Sequence, residues 1–268
     1  MTSSSKHLLP GQPRWDYSIQ QYKKGHPFCE KDLCSILFLA CGRPDVTRRS
    51  LLATLDCIKL FPGEVELICI ENGKDEANFS FFQDIPIQRK VIVRQDNYGI
   101  NHGLNQAWAL SRGEFCIVHE NDWEPHKIID FISIIRDIFN EKKDVGIVQL
   151  RSIWDSNEQW GRGKPEYWPW DLSPEVLNPK GIKVWHEKTK TGHEYLISNF
   201  NNGFNNNPIA MHKKLFMELH PYPEPEIGTD PRHGETLYQE AVASTGCAIA
   251  HINMDLYYHI GRIQTVPK

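Results

Sequence analysis

The sequence contains no long apolar segment and no excess of positive charge. Its longest apolar run, residues 35–41, is far too short to cross a bilayer, and its first residues, MTSSSKH, include no signal-peptide core. The 30 Lys and Arg residues against 34 Asp and Glu residues give a formal net charge of -4. That balance offers no electrostatic basis for binding nucleic acid or an anionic membrane. We expect a soluble, cytoplasmic protein with no signal peptide, no transmembrane segment and no nucleic-acid partner.

Several enzyme classes are disfavoured because their motifs are missing. The sequence has no GxxxxGKS or GxxxxGKT loop of the P-loop ATPases, and no GxGxxG after its first apolar run. A GxSxG elbow, which α/β hydrolases carry, is missing as well. The seven cysteines form no CxxC pair and are odd in number, which favours reduced thiols in an intracellular protein.

Short apolar runs alternate with segments of helical periodicity over residues 33–150. The runs are Leu33–Ala40, Val65–Ile70, Val91–Val93, Phe115–Val118 and Val145–Leu150. Apolar residues at helical spacing lie between them, around 46–58, 104–110 and 128–139. This alternation predicts an α/β fold with a mostly parallel sheet flanked by helices.

The rest of the chain lacks this alternation of apolar runs and helical segments. Residues 1–32 show no sustained period, and we interpret them as an N-terminal arm. Residues 33–268 are expected to form one domain, with a nucleotide-binding half at 33–150 and a loop-rich acceptor-side half at 151–268. Helices are predicted at 213–219 and 235–244, and the segment 249–260 is expected to return to the sheet.

Polar residues follow each of the first four predicted strands, at the edge where open α/β sheets bind ligands. After the fourth strand, Glu120 and Asp122 are two residues apart, and an extended backbone would point both to one side. Two neighbouring carboxylates suit Mg²⁺ or Mn²⁺, and such ions bind a diphosphate in turn. The alternative is an acidic turn that caps a helix beginning at Glu124 and Pro125.

Four segments, in order, resemble the inverting family-2 glycosyltransferases of GT-A fold. They are the first strand and turn at 33–45, ENGKDE at 71–76, DNYGINHGLNQA at 96–107 and RGEFCIVHEND at 112–122. The first acid of the DxD motif is Glu120 here, and Glu71 stands where that family has Asp. The resemblance implies a GT-A fold and sugar transfer from a nucleotide-sugar donor.

The resemblance also implies roles on the donor side of the site. The turn at Arg43 and the side chain of Glu71 would hold the base and ribose of the nucleotide sugar. Asn97 and Asn105 would lie near the donor, and Glu120 would contact the sugar, the ribose or a metal-bound water.

Three further roles follow from the same resemblance. Asp122 would coordinate Mn²⁺ or Mg²⁺ between the two phosphates, with His259 as another metal ligand. Glu235 would be the catalytic base, although Thr236 replaces the second acid of the usual pair. Two of these residues have an alternative role: Glu235 as an acid favoured at a helix N-terminus, and His259 as a partly buried, hydrogen-bonded ring.

The resulting hypothesis is metal-dependent transfer of a sugar from a nucleoside diphosphate donor, with UDP as the favoured nucleotide, to a carbohydrate hydroxyl with inversion. Five tryptophans could stack on a sugar acceptor, with at least two of them expected in the core: 154, 160, 168, 170 and 185. Two rival functions remain open. One is a non-catalytic carbohydrate-binding or scaffold protein on the same fold, and the other is a sugar nucleotidylyltransferase.

Overall fold

The computed structural model of this chain describes residues 29–150, 152–154, 166–168, 184–198, 208–219, 232–252, 254 and 256–260. The strands in these ranges are β1 Glu30–Ala40, β2 Val65–Asn72, β3 Lys90–Gln95, β4 Gly113–Glu120, β5 Trp123–Pro125, β6 Val145–Gln149, β7 Ser152–Trp154, β8 Glu166–Trp168, β9 Val184–Lys188, β10 Glu194–Ser198, β11 Ile209–His212, β12 Ala248–Ile252 and β13 Tyr257–His259. The helices are α1 Pro44–Ile58, α2 Glu76–Asp84, α3 Ile100–Leu110, α4 Phe131–Glu141, α5 Lys213–Leu219 and α6 Arg232–Ser244.

Nine of the described strands form one sheet in the order β3-β2-β1-β4-β11-β6-β12-β10-β9. The strands β3, β2, β1 and β4 are parallel neighbours, and β6 pairs in parallel with β12. Strand β11 runs antiparallel between β4 and β6, and β10 runs antiparallel to both β12 and β9. The predicted mixed α/β fold with a mostly parallel sheet flanked by helices is confirmed.

Helices cover both faces of this sheet. Alternate residues of each strand point to opposite faces, so an apolar strand has side chains to bury on both sides. In β1, Ile36 and Phe38 pack in the cluster that includes α1, α2 and α4. Leu37 and Leu39 pack in the opposite cluster, with side chains of α3, α5 and α6. Both faces of β1 are buried, as expected for a central parallel strand whose sequence is a continuous apolar run.

The predicted strands and helices of residues 33–150 are observed, with shifted boundaries. Strand β1 begins at Glu30, where its N–H donates to the Arg112 carbonyl at 2.7 Å, so residues 30–32, predicted as part of the N-terminal arm, belong to the sheet. Residues 1–28 lie outside the described part. Helix α4 begins at Phe131 rather than 128, because the side chain of Asp130 caps it by accepting from the Ser133 N–H at 2.9 Å.

One helix, one small sheet and the strands β9, β10 and β11 of the large sheet were not predicted. Helix α2 begins after Asp75, whose side chain accepts from the Asn78 N–H at 2.9 Å. Strands β5, β13, β7 and β8 form a second sheet. The predicted return of segment 249–260 to the sheet holds for β12, whereas β13 joins the smaller sheet. No helix in the described ranges is long and apolar enough to span a membrane.

Candidate active site

The carboxyl ends of β1, β2, β3 and β4 meet at one edge of the large sheet, as parallel pairing requires. The segments that follow them are 41–43, 73–75, 96–99 and 121–122. Side chains and carbonyl groups from all four segments or the adjoining strand ends contact one another across this edge. In open α/β sheets this edge is where ligands bind.

Arg43 joins the end of β1 to the end of β4. Its backbone is in the left-handed region, with φ 51° and ψ 58°, at the residue before α1. One guanidinium nitrogen donates to Asn121 Oδ1 at 2.9 Å and to Asp122 Oδ2 at 3.1 Å. Asn121 is fixed in turn, because its Nδ2 donates to Thr47 Oγ1 at 2.9 Å. The predicted site residues Arg43 and Asp122 are thus in direct contact.

Asp122 is a buried carboxylate that contacts two cationic or potentially cationic side chains. Its Oδ2 accepts from Arg43 and lies 3.5 Å from His259 Nε2. Burial alone would raise the pKa of Asp122, but the hydrogen bonds and charges of His259 and Arg43 outweigh it and hold that pKa below its usual value. The other oxygen, Oδ1, is buried and has no hydrogen-bond partner among the described residues.

The backbone of β13 fixes His259 beside Asp122. Strand β13 pairs antiparallel with β5, which places His259 opposite Trp123. The two rings pack edge to face with centroids 4.6 Å apart, and the Ile260 N–H donates to the Asp122 carbonyl at 2.7 Å. The structure therefore brings the predicted metal ligands Asp122 and His259 together.

Glu71 lies at the end of β2 and is fully buried. Its Oε2 accepts from Asn78 Nδ2 at 2.8 Å, and its Oε1 accepts from the Asp75 N–H at 3.3 Å. Burial raises the pKa of Glu71, and these hydrogen bonds, with one from the Gly42 N–H, offset part of the rise. The carboxylate thus connects the first and second strand ends.

Asn97 is held by Asn72, a site residue that was not predicted. Asn72 Nδ2 donates to Asn97 Oδ1 at 3.1 Å and to the Gly99 carbonyl at 3.0 Å. Asn72 Oδ1 accepts from Gln95 Nε2 at 3.0 Å and from the Tyr98 N–H at 3.4 Å. Asn72 therefore determines the shape of the turn between β3 and α3.

The remaining predicted residues are placed as follows. Asn105 is buried in α3, and Glu120 is the half-buried last residue of β4. Residues 121–122 form a turn, so the extended backbone assumed for Glu120 and Asp122 ends at Glu120. Glu235 falls within α6, but its predicted role as a base concerns a side chain outside the described ones.

Two alternative interpretations of the sequence can be judged from the backbone and the side chains. A helix does not begin at Glu124 and Pro125, because residues 123–125 form β5 and pair with β13. Trp185 is 41% exposed, and the side chains of the other four tryptophans lie outside those described.

Among the described residues, no group of three or more His, Cys, Asp or Glu side chains is placed to enclose a metal ion.

Comparison with known proteins identifies the fold. No family model and no curated protein matches the sequence. The structure matches S. aureus TarS 1–349 with a TM-score of 0.56 and 11% identity, covering 84% of this chain and 59% of that one. The same values hold for TarS 1–349 in complex with UDP. A longer TarS structure matches with a TM-score of 0.58 and 10% identity, covering 85% of this chain and 36% of that one.

These matches define the class of structure. TarS is a family-2 GT-A glycosyltransferase, and this chain has a GT-A glycosyltransferase fold. The chain spans about 59% of the length of TarS 1–349. The resemblance predicted from the four sequence segments is therefore confirmed for the fold.

Proposed function

We propose that this protein is a glycosyltransferase that transfers a sugar from a UDP-linked donor to a carbohydrate hydroxyl. The observation that carries the proposal is the buried Asp122 carboxylate at the carboxyl end of β4, in contact with Arg43 and His259. Asp122 lies at the edge of the sheet where open α/β folds bind their ligands. Because TarS with that fold was solved in complex with UDP, a uridine nucleotide is the natural donor to test.

The residues around Asp122 fit a divalent cation. Asp122 Oδ1 is a buried anionic oxygen with no partner in the described part of the chain, and His259 supplies an imidazole nitrogen beside the same carboxylate. Mg²⁺ is usually held by one or two protein carboxylates together with water and substrate phosphates, and Mn²⁺ accepts the same oxygen ligands and imidazole. A pair of protein ligands is therefore sufficient, with Asp122 and His259 as the proposed ligands.

The cation would neutralise negative charge on the departing diphosphate. Around it, the chain's own residues bind and orient the donor. Glu71 and the turn of Arg43 are proposed to hold the base and ribose, with Asn97, Asn105 and Glu120 around the donor.

Glu235 is proposed to take the proton from the attacking hydroxyl as the sugar inverts. A glutamate with an ordinary pKa of about 4.3 is a weak base at neutral pH, so positioning at the acceptor hydroxyl is central to this role.

The test is release of UDP from a panel of UDP-sugars, with and without Mn²⁺. We expect turnover that depends on the cation and falls at least about 100-fold in D122N, because that change removes the charge of the proposed ligand. D56N is the matched control, since Asp56 is an exposed residue of α1 paired only with Lys59 among the ion pairs found. Its activity should equal that of the wild type.

Other outcomes would point to the rival functions. Carbohydrate binding by calorimetry, without binding of UDP or Mn²⁺, would identify a non-catalytic binding protein. Pyrophosphate release from a nucleoside triphosphate and a sugar phosphate would identify a nucleotidylyltransferase. Full activity of D122N would overturn the assignment of Asp122.

A further inference from the structure

We propose that Arg43 couples the binding of the cation to the binding of the diphosphate, an inference that rests on the proposed function. In this assignment its guanidinium neutralises Asp122 when the donor is absent and moves to the diphosphate when the donor and cation enter. The side chain of Arg43 then positions the phosphates, whereas the base and ribose are left to the backbone turn at Arg43 and to Glu71.

The first support is the way Arg43 is held. Its guanidinium donates to Asn121 Oδ1 as well as to Asp122 Oδ2. The position of Asn121 does not depend on Asp122, because Asn121 donates to Thr47 Oγ1 and its backbone N–H donates to the Leu39 carbonyl at 2.9 Å. Arg43 therefore has a fixed anchor that can keep its guanidinium at this edge after the contact with Asp122 is lost.

The second support is charge. A guanidinium is permanently protonated at physiological pH, so Arg43 places a full positive charge 3.1 Å from the carboxylate that is proposed to take the cation. Two like charges beside one carboxylate repel, which weakens the binding of a cation in the absence of an anionic partner. A diphosphate removes this conflict, because it supplies further anionic oxygens for both cations.

The third support is the difference in burial within the pair. The side chain of Arg43 is 30% exposed, whereas that of Asp122 is 12% exposed. The guanidinium is thus the partner that an incoming ligand can reach. Its planar set of donors matches phosphate oxygens, which an ammonium group binds without the same geometry.

The experiment measures Mn²⁺ binding by electron paramagnetic resonance, with and without UDP, in the wild type, R43M and R43K. For R43M we expect Mn²⁺ alone to bind roughly tenfold more tightly, because the repelling charge is gone. UDP in the presence of Mn²⁺ should bind at least about tenfold more weakly, because a charge-assisted donor is lost. A structural defect would weaken both, so opposite changes identify the coupling role.

R43K separates charge from geometry. It keeps the positive charge, so Mn²⁺ alone should bind as in the wild type, while UDP should bind more weakly because the planar donor set is lost. R49M is the matched control, because Arg49 lies on α1 and pairs with Glu124 rather than with Asp122. It should leave both affinities unchanged.

The contrary results are distinct. If R43M binds Mn²⁺ alone no more tightly than the wild type, or binds UDP equally well, the coupling role of Arg43 is wrong while the proposed function stands. If the wild type binds neither UDP nor Mn²⁺, the proposed function falls, and this inference falls with it. A second variant, N121A, provides a test if R43M does not fold. It retains the charges of Arg43 and Asp122, and it should weaken UDP binding because Arg43 loses its hydrogen bond to Asn121.

Discussion

The imidazole of His259 lies 3.5 Å from the carboxylate of Asp122, although the two residues are far apart in the sequence. Two backbone features hold them together. Strand β5 begins directly after Asp122 and pairs with β13, and the Ile260 N–H donates to the Asp122 carbonyl. The distance is thus set by the main chain, and the ring of Trp123 restricts the imidazole further. Two metal ligands need to be held in this way, because metal affinity depends on how well the surrounding structure orients them.

This geometry predicts that H259A binds Mn²⁺ about 10- to 100-fold more weakly than the wild type, a range typical for losses around metal sites. Titration of Mn²⁺ in the presence of UDP, followed by electron paramagnetic resonance, measures the change. Y258F is the matched control, because Tyr258 precedes His259 on β13 and packs on His126. Equal Mn²⁺ affinities for H259A and Y258F would mean that His259 is a structural residue.

The fold of residues 33–150 was predictable because the sequence patterns that indicate its strands and helices are local. The five apolar runs of residues 33–150 correspond to β1, β2, β3, β4 and β6, and helical periodicity marked α1, α3 and α4. Helix α2 has a weaker apolar period, and its best signal is the capping residue Asp75. Strand β11 was not predictable in this way, because its position between β4 and β6 depends on pairing between distant segments.

The site was predictable in part for the same reason. Asp122 was found because an acidic motif follows an apolar strand, and its contact with His259 was expected only through the family resemblance. Asn72 and Asn121 were missed, since buried amides that hydrogen-bond to turns leave no distinctive pattern in the sequence. Their roles depend on partners such as Gly99 and Thr47, which only the fold brings near.

The role of Asn72 in shaping the β3–α3 turn predicts a selective loss in N72A. The change removes the hydrogen bonds that Asn72 makes to Asn97 Oδ1, the Gly99 carbonyl and the Tyr98 N–H. Asn97, Tyr98 and Gly99 are exposed residues, so water can replace part of these hydrogen bonds, and we expect stability to fall by about 1 kcal/mol. UDP binding should weaken roughly tenfold, since the turn at the proposed donor site loses its shape.

Urea unfolding and calorimetric titration of UDP measure the two effects. N140A, at an exposed position of α4, is the control for replacing an asparagine and should change neither quantity. Wild-type UDP affinity in a destabilised N72A would restrict Asn72 to a structural role.

His251 predicts a dependence of stability on pH. Its ring is buried in β12 with Nε2 3.0 Å from Ser198 Oγ, and burial lowers the pKa of His251 to about 4. In the unfolded chain a histidine has a pKa of about 6.5. Between these values the unfolded state binds more protons than the folded state, so stability rises with pH. From about pH 7 to about pH 5, this one group should remove about 2 kcal/mol of stability.

The variant H251N should lose this part of the pH dependence, measured as the difference in free energy of unfolding between the two pH values. H186N changes a histidine that is exposed on β9, and it should retain the wild-type dependence. His119 is also buried with its pKa lowered to about 4 by burial, so H251N should flatten the curve only in part. Identical curves for H251N and the wild type would contradict the burial of a neutral His251.

Lys213 predicts a large and purely structural effect at the other end of α3. Its ammonium group is buried and donates to the Trp108 carbonyl, to the Ser111 carbonyl at 3.0 Å and to Ser111 Oγ at 2.5 Å. These groups lie at the C-terminal end of α3, where carbonyls have no partner within the helix. Burial lowers the pKa of Lys213 to about 8, which still leaves it mostly protonated at pH 7.

K213M keeps the approximate length of the side chain but removes every donor, so the hydrogen bonds from Lys213 to the Trp108 carbonyl, the Ser111 carbonyl and Ser111 Oγ are lost. We expect stability to fall by about 2–4 kcal/mol, because the loss of three buried, charge-assisted hydrogen bonds exceeds the gain from burying a methyl group in place of an ammonium. Urea unfolding measures the loss, and the exposed neighbour in K214M should cost little. The turn held by Asn72 lies at the opposite end of α3 and shares no hydrogen-bond partner with Lys213 among those described, so the two losses should add to within about 0.5 kcal/mol in the double variant of K213M and N72A.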